Sequence, residues 1–179
     1  MQPKGNITYY FIIISVFLLL NLGYSLATLD QLYFILKPTS VLISMTTGSV
    51  SNYTSESGFY FQGLDILLVK SCSGFNFMIL CFTLLSFLGL SFAESPKAKK
   101  YVLPIALFIA YLITIIANAS RIILAIAGQS MADNFLPHRP HGLIHEIIGA
   151  IVYLFFLFVV YLFFKFLLQK LIRNNEKLA

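Results

Sequence analysis

Three residues whose types can carry out acyl transfer stand at the ends of long apolar runs. Cys72 lies just ahead of one run, Arg121 lies late in the next, and His145 opens the last. A cysteine attacks as its thiolate, which forms readily only beside cations or a helix N-terminus. Arg121 could hold the thiolate or a carbonyl oxyanion, and His145 could carry the proton to and from the reacting groups. Together they predict thiol-mediated acyl transfer.

Two neighbouring residues fit this chemistry. Cys72 precedes a predicted helix, whose dipole favours an anion at this end. Ser73 is a plausible N-cap of that helix. Asn118 stands three residues before Arg121, on the same helical face, where it could orient the guanidinium. Asn118 could equally form a hydrogen bond between helices, and we favour that interpretation over a direct catalytic role.

Each of the three reactive residues also has a structural interpretation. Cys72 could be a small apolar filler, as cysteines often are in membrane helices. Arg121 could extend its side chain to the outer headgroups, because an arginine deep in a span costs about 2.5–3.5 kcal/mol on insertion scales. His145 could simply lie at the headgroup boundary.

The composition identifies a membrane protein. The chain has 179 residues, of which 59% are hydrophobic and 11% charged, whereas soluble domains carry about 25% charged residues. The net charge of +5 does not indicate nucleic-acid binding, because basic residues such as Lys97, Lys99 and Lys100 flank apolar runs, as in cytoplasmic loops. We therefore expect one integral membrane domain over residues 1–179, an all-α polytopic helical bundle.

The apolar runs predict four membrane spans and one interfacial helix. The spans cover about residues 7–27, 75–92, 102–127 and 142–168, and the interfacial helix covers about 32–47. If the segment 32–47 also crossed, the lysines after residue 96 would fall on the wrong side. The alternative has both first segments crossing, with the N-terminus outside. Residues 25–27 also resemble a signal-peptidase site, so a cleaved signal competes with an uncleaved anchor.

The segment between residues 48 and 70 is the main extracytoplasmic part of this topology. Apolar residues alternate there in short stretches around Gly63, which predicts small β-strands. The segment would cap the outer face of the cell membrane and present Cys72. Arg121 and His145 would lie near the same face.

A zinc site is the competing chemistry for the histidines. His141 and His145 are spaced i, i+4, with His138 and Glu146 nearby. The metalloprotease motif requires His-Glu-x-x-His, whereas this chain has Gly149 where the second histidine would stand. We therefore expect neither a metal nor another cofactor.

Three short motifs, taken in order, resemble the exosortase/archaeosortase family over roughly residues 32–164. They are Cys72-Ser73-Gly74, Asn118-Ala119-Ser120-Arg121, and His145-Glu146 followed by Gly149. The resemblance implies Cys72 as nucleophile, Arg121 as oxyanion or thiolate partner and His145 as acid–base. The supporting residues are Ser73, Gly74, Asn118, Glu146 and Gly149. The chain lacks several N-terminal spans of the larger members and is closer in size to the short exosortase K-type branch.

The resemblance also implies a substrate class. It consists of exported proteins that end in a short motif, a membrane helix and a basic tail. Cleavage near the motif would pass the acyl group to an envelope acceptor, a lipid or a glycan. A non-catalytic membrane protein that binds a partner helix or an anionic envelope lipid through Arg121 is the alternative. A small transporter subunit with Arg121 along an anion path is a weaker one.

Overall fold

Long apolar helices make up most of the structure, a computed structural model that describes residues 7–93, 95–135 and 143–176. The helices are α1 (Ile7–Leu26), α2 (Tyr33–Thr47), α3 (Phe75–Phe92), α4 (Pro96–Phe135) and α5 (Leu143–Glu176). Among these residues, four stretches are long and apolar enough to cross a bilayer: Ile7–Leu26, Lys70–Phe92, Pro96–Gln129 and His145–Leu171. The predicted all-α polytopic membrane fold is confirmed.

Helices α4 and α5 are longer than the apolar runs from which they were predicted. Helix α4 starts at Pro96, where proline suits the first helical position, and continues past Gly128 to Phe135. A glycine inside a helix costs only about 1 kcal/mol relative to alanine, so Gly128 does not end it. Helix α5 continues to Glu176, and Gln169, Lys170 and Arg173 in this extension are good helix formers.

The chain forms two compact units, and the first contains helical segments only. It comprises α1, nearly all of α3, the first part of α4 and the last part of α5. Ile13 is fully buried, and the rings of Tyr10 and Phe87 stack with centroids 5.5 Å apart. None of the predicted site residues belongs to this unit.

The second unit, residues 27–75 and 113–156, contains the only strands of the described chain. Strands β1 (Ser51–Thr54), β2 (Gly58–Phe61) and β3 (Ile66–Leu68) pair antiparallel in that order. Buried and exposed side chains alternate along β2 and β3, as predicted. Strand β1 was not predicted, because its Ser-Asn-Tyr-Thr sequence lacks apolar alternation.

Helix α2 packs beside this sheet with one buried face. Ile35, Leu36, Thr39 and Ile43 are buried at helical spacing. The helix has 15 residues and is therefore about 22 Å long, shorter than the roughly 30 Å hydrocarbon core of a bilayer. This length fits a helix that lies in the interface, and that placement stays a prediction.

Two hydrogen bonds connect the segment that contains the sheet to the residues that precede α2. The Tyr53 hydroxyl donates to the Asp30 carboxylate at 2.6 Å, and this hydrogen bond raises the pKa of Tyr53 to about 12. The Lys70 ammonium donates to the carbonyl oxygen of Ala27 at 2.7 Å. The second contact ties the chain just before Cys72 to the segment that precedes α2.

Candidate active site

The cysteine lies in a tight turn at the head of α3. Residues Lys70–Cys72 form a 3₁₀ turn, and Cys72 is half-buried. The hydroxyl of the buried Ser73 accepts a hydrogen bond from the amide of Phe75, the first residue of α3, at 3.3 Å, although the backbone of Ser73 has α-helical angles and belongs to the end of the 3₁₀ turn. The turn therefore holds the cysteine beside the first helical residues.

Gly74 allows the next helix to approach this turn closely. Its φ of +75° is unfavourable for residues with a side chain, and a Cβ there would lie 2.9 Å from the Cγ of Asn118. Asn118 is fully buried, and its Nδ2 donates to the carbonyl oxygen of Cys72 at 2.7 Å. The backbone of the cysteine turn is thereby fixed to α4.

Tyr153 of α5 links Asn118 to Arg121. Its hydroxyl donates to Oδ1 of Asn118 at 2.7 Å and accepts a hydrogen bond from Nη1 of Arg121 at 3.0 Å. The guanidinium carbon also lies 5.2 Å from the centroid of the tyrosine ring. Asn118 therefore orients Arg121 indirectly, through the hydroxyl of Tyr153.

Arg121 contacts His145 through its second terminal nitrogen. Nη2 lies 2.8 Å from Nε2 of the imidazole. A guanidinium has no acceptor and stays protonated, so Nε2 must accept this hydrogen bond and the ring proton must be on Nδ1. His145 is therefore neutral in this arrangement, and its unprotonated Nε2 accepts the hydrogen bond from Arg121.

Gly149 lies four residues after His145, on the same face of α5. A Cβ at this position would lie 2.9 Å from Nε of Arg121. That Nε is buried and has no hydrogen-bond partner among the described residues. An unsatisfied buried donor costs about 1–3 kcal/mol, so the guanidinium is held at an energetic cost.

The positive charge of Arg121 has only neutral partners within the described part of the chain. Tyr153 and His145 accept its hydrogen bonds without a countercharge. No carboxylate of a described residue forms an ion pair with it, and Glu146 is exposed. An anion formed nearby, such as a thiolate or an oxyanion, would be stabilised by this guanidinium.

The structure thus brings the three predicted catalytic residues and Asn118 into one series of hydrogen bonds. It runs from the carbonyl of Cys72 through Asn118, Tyr153 and Arg121 to His145. The hydrogen bond to Cys72 is made to its backbone carbonyl oxygen and not to its thiol. Two histidines of the competing zinc prediction, His138 and His141, lie outside the described residues.

Tyr153 is the member that sequence reasoning missed. It follows His145 by eight residues and Gly149 by four, which places all three on one side of α5. That spacing was the available signal. It is weak, because tyrosines near the ends of spans are usually interfacial anchors.

Comparison with known proteins agrees with the motifs. The family model described as transmembrane exosortase matches residues 6–162, which is most of the chain. A search of curated proteins and a search of solved structures each found no match. The matched region contains the cysteine turn, α4 and the part of α5 that carries His145, Gly149 and Tyr153. The protein therefore belongs to the transmembrane exosortase family.

Proposed function

We propose that the protein is a membrane-embedded cysteine transpeptidase that cleaves C-terminal sorting signals of exported proteins. The acyl fragment would pass to an envelope acceptor through a thioester on Cys72. One observation carries the proposal: Arg121, whose guanidinium has no countercharge among the described residues, is hydrogen-bonded to His145 and linked to the backbone of Cys72. Family membership supports the same class of reaction.

Attack begins with the proton of the Cys72 thiol. Nε2 of His145, the nitrogen without a proton, takes it as the hydrogen bond from Arg121 breaks, and the thiolate forms. His145 and Arg121 are then both cations, so Nη2 can no longer donate to the imidazole. Nη2 can then donate a hydrogen bond to the new anion, which is first the thiolate and then the oxyanion at the scissile carbonyl.

The thioester forms and resolves with His145 as proton carrier. The bond between sulfur and the carbonyl carbon forms, the C–N bond breaks, and the leaving amine takes the proton from His145. An amine of the acceptor, or water, then attacks the thioester and gives its proton to His145. The C–S bond breaks, and the released thiolate recovers that proton. Both half-reactions balance without a metal or redox partner.

The topology supports an active site on the extracytoplasmic side of the cell membrane. The lysines that follow α3 mark the cytoplasmic side by charge bias, and Cys72 stands at the opposite end of that helix. A substrate whose own membrane helix crosses the same bilayer would deliver its outer end to this level. Such positioning raises the effective concentration of the scissile bond.

Binding of an anionic lipid or a partner helix through Arg121 is the alternative function. The structure favours it less, because two nitrogens of Arg121 already donate within the protein and its Nε is buried. A residue that serves lipid headgroups would direct those donors outward.

Trapping the acyl-enzyme tests the proposal. The protein is co-expressed with an exported protein that ends in a membrane helix and a basic tail, and intact mass is measured. We expect a hydroxylamine-sensitive adduct on Cys72 in the wild type and in Cys81→Ala, the control at the other, buried cysteine. Cys72→Ala should form no adduct. Full processing by Cys72→Ser would overturn the proposal.

A further inference from the structure

A cavity of about 370 Å³ opens beside His145, within the second unit. One wall is the turn between β2 and β3, including Asp65, and the opposite wall is α4 at Ile122, Ile126 and Gln129. This volume far exceeds the roughly 30 Å³ that one water occupies in the liquid. The cavity can therefore hold a ligand group of several heavy atoms next to the imidazole.

Asp65 gives this cavity a negative charge. The residue is exposed and has a φ of +51°, a conformation that aspartate, asparagine and glycine tolerate in turns. The Tyr60 hydroxyl donates to its Oδ1 at 3.2 Å, and that hydrogen bond raises the pKa of Tyr60. Within the described chain, no lysine or arginine forms an ion pair with Asp65.

The remaining walls are formed by apolar and polar side chains together. Ile66, Ile122 and Ile126 line the cavity along with Gln129. Asp65 is exposed, so its carboxylate attracts a cation only modestly through the surrounding water. Apolar walls also accommodate the methylene groups that carry an ammonium or a guanidinium.

We propose that this cavity is a cation site in which Asp65 is the counter-ion for an ammonium or guanidinium on an alkyl stem, held beside His145. The site adds a bound cation to the proposed reaction, and its role in that reaction rests on the proposed function. The cation would be either the amine of the incoming acceptor or a basic side chain near the scissile bond. Binding itself does not require Cys72.

Titration of the full-length protein with butylammonium tests the binding, with butanol as the neutral probe of equal shape. The ring signals of His145, assigned with His145→Gln, are followed by NMR in detergent. We expect butylammonium to shift them and butanol not to. Asp65→Asn keeps the turn conformation and an acceptor for Tyr60, and should weaken binding about twofold to fivefold.

Glu56→Gln is the matched control, because Glu56 is an exposed carboxylate in the other turn of the same sheet. It should leave the titration unchanged. Equal binding by Asp65→Asn and the wild type, or no shift with butylammonium, would overturn the cation site. A retained titration in a protein whose Cys72 forms no acyl adduct would reject the proposed function and leave the site standing.

Single-turnover kinetics then identify the source of the cation. If Asp65→Asn slows resolution of the acyl-enzyme but not its formation, the cation belongs to the acceptor amine. If it slows formation, the cation belongs to the substrate near the scissile bond. If Asp65→Asn changed neither rate, the cation bound in the cavity would take part in neither step, and its proposed role in the reaction would be overturned.

Discussion

Nη2 of Arg121 lies 2.8 Å from Nε2 of His145, and only the imidazole can be the acceptor. The histidine is therefore kept neutral, with its proton on Nδ1, until the contact breaks. In the proposed reaction, protonation of Nε2 and release of Nη2 are one event, because two cations cannot share this hydrogen bond.

The tautomer of His145 is the first prediction. We expect nitrogen NMR of the full-length protein to show a protonated Nδ1 and an unprotonated Nε2 for His145 at neutral pH. Arg121→Ala removes the donor that selects this form, so a mixture of tautomers should replace it. A protonated Nε2 in the wild type would contradict the arrangement.

The hydroxyl of Tyr153 is the second prediction. Tyr153→Phe removes the group that bridges Asn118 and Arg121, and with it two hydrogen bonds worth about 1 kcal/mol each. We expect processing of a co-expressed substrate to fall about tenfold or more, and the His145 signals to shift. The measurements are the processing rate and the NMR spectrum.

Tyr161→Phe is the control for this change. Tyr161 lies eight residues further along α5, and its hydroxyl accepts a hydrogen bond from Lys165 away from the site. Processing should stay within about twofold of wild type, as is usual for substitutions away from such networks. If both variants lost the same amount of processing activity, the loss would reflect removal of any tyrosine hydroxyl from α5. The specific role of Tyr153 would then be rejected.

The third prediction concerns Gly149. In Gly149→Ala the new methyl group would lie 2.9 Å from Nε of Arg121, so the guanidinium must move. Alanine also favours a helix by about 1 kcal/mol over glycine. We therefore expect a protein of similar or higher thermal stability that processes substrate at least about tenfold more slowly.

Gly23→Ala separates these two effects. Gly23 is also helical, and a Cβ there would meet nothing within 4 Å. The variant should gain helix stability and keep full processing. If Gly149→Ala behaved in the same way, the close contact with Arg121 would not matter for activity.

Gly74 provides the fourth prediction. Gly74→Ala places a side chain at a φ of +75°, which costs roughly 1–2 kcal/mol, and its methyl group would displace Asn118. Gly48→Ala has nearly the same φ, +70°, with open space around the new Cβ. Thermal unfolding should show some destabilisation of both, whereas substrate processing should fall only in Gly74→Ala.

The sequence alone determined the class of the protein and the residues of interest. Four apolar runs long enough to cross a bilayer are a local property of the chain, and so are the residue types at their ends. The family motifs indicated Cys72, Arg121 and His145, and the match over residues 6–162 agrees with that family. Helix ends were predicted less well, because apolar runs do not mark where a helix stops in water.

Only the tertiary structure decided how these residues are connected. Asn118 reaches the carbonyl of a residue 46 positions earlier, and Tyr153 reaches Asn118 from 35 positions later. The close approaches at Gly74 and Gly149 likewise depend on which helices pack together. The periodicity of apolar residues along one helix indicates only which face of that helix is buried. Contacts between residues far apart in sequence depend on how the helices pack together in the folded protein.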